Sequence, residues 1–196
     1  MKPLRREITL VFGQTGTGKS QFTKRIIKGS RRCIVIDPQD EYEAVHHADN
    51  EDELREYLEK NPKMFRVAYS DLRGFDYICD LVSLVPDTLL VVEESQRIVP
   101  PAKKLPESFE DLIYRGRHSG TSIHLVAQRP TTVDIAVRSQ FNRLVTFRQS
   151  EARDINWITD VTGYNLDEEI RGLAVMEYVE IGPAGWEKKK LSGFVK

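Results

Sequence analysis

The chain has little of what would set it apart from ordinary globular proteins. It holds two cysteines, Cys33 and Cys79, without CxxC spacing, which argues against a disulfide framework or a zinc site and agrees with a reducing compartment. No stretch approaches the roughly 18 uninterrupted apolar residues of a membrane span. Met1 to Arg6 carries basic side chains but no apolar stretch of signal-peptide length. Internal repeats and low-complexity segments are lacking. Aromatic residues make up 9% and show no stacking pattern for single strands or RNA. Net charge is only −1. What remains is a 196-residue chain, 40% hydrophobic and 30% charged, of one-domain size. It is long enough to bury roughly 70% of its unfolded surface without staples.

The near-neutral sum hides an uneven distribution. Residues 37–59 hold ten acids against Arg55 alone, a local −9 that leaves +8 for the rest. Residues 97–153 carry a local +5. Such a basic stretch is either a solvated face or a surface that meets a polyanion.

Strand-like runs at 7–12, 33–37, 64–69, 89–92, 123–127, 144–147 and 174–181 alternate with helix-like runs at 19–28, 51–60, 77–85, 106–115 and 151–162. Strands separated by helices predict an α/β domain with a mostly parallel central sheet of about seven strands, flanked by helices. The domain is expected over residues 1–182, and residues 183–196, with Lys188-Lys189-Lys190, are expected as a basic tail.

Between the first strand and first helix lies Gly13-Gln14-Thr15-Gly16-Thr17-Gly18-Lys19-Ser20, which fits G-x-x-x-x-G-K-[ST] at every fixed position. Glycines let backbone N–H groups turn inward around phosphate oxygens, and the helix N-terminus adds partial positive charge. Lys19 is expected to reach the β- and γ-phosphates of ATP and Ser20 to ligate Mg²⁺, with Gln21 beside them. This pattern predicts a P-loop NTPase.

Leu89-Leu90-Val91-Val92-Glu93-Glu94 supplies a buried strand ending in two acids. By position Glu93 is the Mg²⁺ partner and Glu94 polarises the attacking water. Glu93 stands where Asp is usual; its extra methylene favours a water-mediated contact. The strand Ile123–Ala127 ends at Gln128, which can sense the γ-phosphate and hold the lytic water. An additional strand with a polar tip beside the P-loop strand marks the catalytic-glutamate branch of P-loop proteins. Asp37 either supports the Mg²⁺ shell or caps the segment after its strand. His124, inside an apolar strand, reads as a satisfied core histidine, and the adjacent His46-His47 as surface rather than metal ligands.

At this point the sequence resembles the FtsK/HerA superfamily of DNA-pumping ATPases over about residues 7–150. The resemblance is carried by Arg115-Gly116-Arg117-His118-Ser119-Gly120-Thr121-Ser122-Ile123-His124-Leu125-Val126-Ala127-Gln128-Arg129-Pro130, by Asp37-Pro38, and by Val137-Arg138-Ser139-Gln140-Phe141-Asn142-Arg143. It implies a ring, a hexamer or pentamer, around double-stranded DNA. It also implies an arginine from one subunit completing its neighbour's ATP site, which here matches Arg117; Arg115, Arg138 and Arg143 are weaker candidates. Larger translocases add membrane spans, a barrel or a winged helix. A bare core of this size is most similar to viral genome-packaging ATPases. That similarity implies a Mg²⁺-dependent ATPase, a capsid or portal partner, no membrane span, and a place in the host cytoplasm or on the virion. Basic loops at Lys103-Lys104 and Lys188–Lys190 are candidate DNA contacts or simply solvated. The rival readings are a cellular pump for repair or conjugation, a small-molecule nucleotide kinase, and an ATP-gated scaffold.

Overall fold

Ile8–Phe12 is buried along its whole length, the pattern of a strand covered on both faces. In the computed structural model, which describes residues 6–43, 45–116 and 118–195, this run is β1. The chain continues through α1 (Lys19–Gly29), β2 (Arg32–Ile36), β3 (His46–Ala48), α2 (Glu51–Lys60), β4 (Phe65–Tyr69) and α3 (Phe75–Leu84). It then forms β5 (Leu89–Val92), α4 (Glu107–Arg115), β6 (Ser122–Ala127), α5 (Ile135–Arg138), β7 (Arg143–Thr146), α6 (Ala152–Thr162), α7 (Asp167–Arg171), β8 (Glu177–Gly182) and β9 (Gly185–Lys190). Among the described residues the nine strands form one sheet in the order β3-β4-β2-β5-β6-β1-β7-β8-β9. Every pairing from β3 to β7 is parallel, and β8 and β9 close the far edge as antiparallel strands.

Alternation along the strands divides the interior. Ile8, Leu10 and Phe12 of β1 face a large core shared with Leu54 of α2, Ile78 of α3, Phe109 of α4 and Ile155 of α6. Val11 faces the opposite side, where Phe22 of α1 packs. Helices therefore cover both faces, as the α/β reading required. No helix among the described residues is long and apolar enough to cross a membrane.

All seven expected strands form; two more join them. β3 carries two histidines in an acidic stretch and shows no apolar run. It is held by pairing with β4 and by His46 stacked on Tyr57, ring centroids 3.9 Å apart. β9 lies within the segment expected as a tail. Trp186 sits opposite Ile181, and Lys188 and Lys189 pair with Glu177 and Glu180 of β8 at 3.0 and 3.2 Å. Acids on β8 thus account for two of the three lysines. The short helices α5 and α7 were likewise not signalled by periodicity.

His124 occupies the middle of β6, 2% exposed, with Nε2 3.4 Å from the Thr23 hydroxyl and its ring stacked on Phe22. Burial, with Arg143 nearby, lowers its pKa to about 3. The folded protein keeps this ring neutral while the unfolded chain protonates below its ordinary value of about 6.5. Its contribution to stability is therefore complete above that pH and is lost as pH falls toward the folded value. His124→Gln is expected to remove about 3 kcal/mol of the stability lost between pH 7 and pH 4. Denaturant unfolding of both proteins across that range checks this; parallel curves would remove His124 as the source.

Candidate active site

The loop between β1 and α1 is fixed from outside. The Gly13 N–H donates to the Gln128 carbonyl at 3.3 Å, and the Gln14 N–H to the Arg148 carbonyl at 3.2 Å. The Met176 N–H, just before β8, donates to the Thr17 carbonyl at 2.9 Å. Gly18 has a φ of +122°, and a Cβ there would lie 3.0 Å from the Phe147 ring and 3.3 Å from the Met176 Cα. Only glycine suits that position. The helix that follows has no side-chain cap and no acid in its first turn. Its free N–H groups and dipole are left for an anion.

Lys19 Nζ donates back to the Gln14 carbonyl at 3.1 Å, and the Thr17 hydroxyl donates to the same oxygen at 2.7 Å. Burial lowers the Lys19 pKa, while Glu93, Glu94 and Glu41 favour its charge. The Ser20 hydroxyl donates to Glu41 Oε2 at 2.7 Å, which leaves its lone pairs for another partner.

Opposite the loop, β5 delivers Glu93 and Glu94. Glu93 is 9% exposed and accepts a hydrogen bond from the Tyr42 hydroxyl. Burial pushes its carboxyl up to about 7; the Tyr42 hydrogen bond and Lys19 oppose that rise, and Glu41 and Asp37 add to it. Glu94 adopts the left-handed conformation, φ 48° and ψ 43°, and accepts from the Gln96 side chain. That conformation is uncommon for a residue with a Cβ and clusters at functional sites. β6 lies between β5 and β1 and brings Gln128 to its tip. A cleft of about 300 Å³ results, lined by Thr15, Gly16, Lys19, Ser20, Asp37, Gln39, Glu41, Glu93, Glu94 and Gln128.

Asp37 caps the segment after its strand, one of the two roles the sequence left open, and it also borders the cleft. It is fully buried, one carboxyl oxygen accepts the Tyr42 N–H at 3.0 Å, and it lines the cleft. Its other oxygen has no hydrogen-bond partner among the described residues. Glu41 and Tyr42 were not singled out by sequence reasoning, although the acid-rich Asp37-Pro38-Gln39-Asp40-Glu41-Tyr42 at a strand end was a local signal. Gln14 and Gln21 are engaged away from the lining: Gln14 Nε2 donates to the Ser150 hydroxyl at 2.6 Å, and Gln21 Oε1 accepts from the Val195 N–H at 2.7 Å.

Arg117 lies outside the described residues. Of the weaker candidates, Arg138 is buried over the Trp157 ring, 4.9 Å from its centroid, and Arg143 pairs with Glu7 and Glu180 at 3.0 and 3.2 Å. Arg115 stays exposed, 3.3 Å from Asp111. Arg129, beside Gln128, donates to the buried Asp154 of α6 at 2.7 Å and so anchors the end of β6. Lys103 and Lys104 are exposed in the loop before α4.

A phosphate loop between a central strand and an uncapped helix, facing acids two strands away, defines a P-loop NTPase fold. The chain belongs to the family described as helicase HerA, central domain, whose model matches residues 7–160. It is a HerA/FtsK-like member of the P-loop ATPases. No curated protein sequence matches the chain significantly. Among solved structures it is similar to the genome packaging NTPase B204 from Sulfolobus turreted icosahedral virus 2. In its sulfate complex that protein superposes with a TM-score of 0.81 at 18% identity, over 100% of each chain. Its complex with ATP-gammaS gives 0.80 at 18% identity, again over 100% of each chain. VirB4 of Thermoanaerobacter pseudethanolicus gives 0.67 at 12% identity, over 95% of this chain and 89% of that one. At these identities the likeness speaks for the fold.

Proposed function

We propose that the chain is the ATP-hydrolysing subunit of a ring that moves double-stranded DNA, with viral genome packaging as its setting. The observation that carries this reading is the convergence of Lys19, Ser20, Glu93, Glu94 and Gln128 on one cleft in a HerA-family chain. The full-length fold likeness to a genome packaging NTPase supports the setting.

In this reading Gly13–Ser20, with Gln21 adjoining, hold ATP, and Lys19 balances the β- and γ-phosphate charge. The oxygen donors Ser20 and Glu93 fit Mg²⁺, a hard cation that takes few protein ligands, and Asp37, one oxygen of which has no hydrogen-bond partner among the described residues, borders the same cleft. When bound, that cation supplies positive charge to the phosphate oxygens. Glu94 takes the proton of the attacking water, and Gln128 orients that water against the γ-phosphate. Arg117 of a neighbouring subunit completes the site in a hexamer or pentamer, so the isolated subunit turns over slowly. DNA phosphates meet basic loops such as Lys103-Lys104 with little sequence preference. A capsid or portal protein is the docking partner, in the host cytoplasm or on the virion. The motor domain extends through β9, whose strand closes the sheet edge beyond residue 182. A conjugation-type pump is the second reading, favoured by the fold likeness to the pCW3 conjugation coupling protein TcpA, with a TM-score of 0.64 at 12% identity.

ATP turnover with and without long duplex DNA tests the proposal. Strong stimulation that weakens with salt is the expected result. Flat rates at concentrations where the protein forms rings would overturn the motor reading. Phosphate transferred to a nucleoside or nucleotide instead of released would make it a kinase.

A further inference from the structure

We infer that Tyr42 is a positioning residue for the nucleotide-bound cation, its hydroxyl holding Glu93 in the orientation that presents the carboxylate to the cleft beside Ser20. The inference rests on the proposed reading that Ser20 and Glu93 hold that cation.

Glutamate has one more rotatable bond than the aspartate usual at this strand end. A carboxylate on the longer arm has more rotamers available, so its aim has to be selected by a neighbour. The Tyr42 hydroxyl supplies that selection by donating to Glu93 Oε1. The tyrosine is itself well anchored. It is 2% exposed, and its N–H donates to Asp37 Oδ2 at 3.0 Å. Its carbonyl accepts the Val45 N–H at 3.3 Å and lies 3.1 Å from His47 Nε2. The other nitrogen of that histidine is 2.9 Å from Asp40. The phenol therefore projects from a cross-braced loop between β2 and β3.

The residue before it acts on the other expected ligand, because Glu41 accepts the Ser20 hydroxyl hydrogen at 2.7 Å. Two consecutive residues of one loop thus hold both oxygen donors of the cation site. They come from the α1 side and from the end of β5, elements far apart in the chain. Outer partners of this kind orient metal ligands, and their loss commonly lowers metal affinity ten- to a hundredfold. A tyrosine that merely fills space or satisfies a buried oxygen would leave metal affinity alone.

Tyr42→Phe deletes one oxygen and keeps the ring. Binding of a fluorescent, slowly hydrolysed ATP analogue, titrated with Mg²⁺ and separately with Mn²⁺, reads the effect without turnover. Affinity for the analogue in chelator is expected to stay within about twofold, and the metal concentration at half-effect to rise about tenfold. In a Glu93→Gln background the same tyrosine change is expected to add less than about twofold, because the two act as a unit. An unchanged metal titration in Tyr42→Phe overturns the inference. So does an undiminished penalty in the Glu93→Gln background, or a loss of analogue binding already in chelator, which would make the role structural. A wild-type protein whose analogue binding ignores both metals overturns the underlying metal reading and this inference with it.

Discussion

Glu94→Gln is expected to lower ATP turnover by about two to four orders of magnitude, the usual worth of a general base, while nucleotide affinity changes less than about threefold. The substitution keeps the volume of the side chain and an oxygen to accept from Gln96. In the proposed mechanism it removes the property required of this side chain, an affinity for the proton of the attacking water. The backbone argues in the same direction. Glu94 sits in left-handed conformation two residues past the end of β5, so the chain turns sharply and sends the second acid of the pair along a different path from the first. Both acids line the cleft, Glu93 held against Tyr42 and Glu94 turned away from it. Phosphate release at saturating ATP, measured beside equilibrium binding of a fluorescent analogue, separates chemistry from binding. A variant that retained more than a tenth of wild-type turnover would take Glu94 out of the base role.

Lys19→Ala is expected to weaken ATP binding about a hundredfold, the scale of a lost charge-assisted hydrogen bond to phosphate. The lysine is surrounded by Glu93, Glu94 and Glu41. Deleting it removes a donor and also leaves three carboxylates facing a polyphosphate with less to offset them. Stability should change by less than about 1 kcal/mol, because among the described residues the Lys19 ammonium has a single hydrogen bond, to a loop carbonyl. Calorimetric titration with ATP, alongside thermal unfolding, distinguishes the two. Affinity within threefold of wild type would show that the loop backbone and helix N-terminus suffice without the lysine.

The parts of this molecule that were legible in the sequence are those encoded by neighbours in the chain. The loop Gly13–Ser20, the acids after Leu89–Val92 and the glutamine after Ile123–Ala127 are contiguous patterns whose strand or helix context is equally local. The α/β layering followed from the same runs. What escaped depends on partners distant in sequence. β9, Gly185–Lys190, has the composition of a solvated tail and becomes a strand because Glu177 and Glu180 neutralise its lysines across the hairpin. β3 is three residues long and gains its place from β4 and from Tyr57. The Tyr42–Glu93 contact joins residues 51 positions apart, and no spacing rule points to it. The arginine expected to act between subunits belongs to a different category, since a trans contact is a property of an assembly and not of one chain.

The place of β6 in the sheet has a dimensional consequence. Neighbouring strands stand about 4.8 Å apart, so an acid on a strand adjoining β1 would lie closer to the phosphate loop than one a strand further out. With β6 inserted, the tips of β1 and β5 are separated by about twice that distance, roughly 9.6 Å. β6 is in effect a shim: its thickness sets the gauge of the gap that a terminal phosphate and its attacking water must fill. Because Arg129 ties the end of that strand to Asp154 of α6, a shift of α6 would be felt first at the neighbouring Gln128, on the cleft side of the spacer.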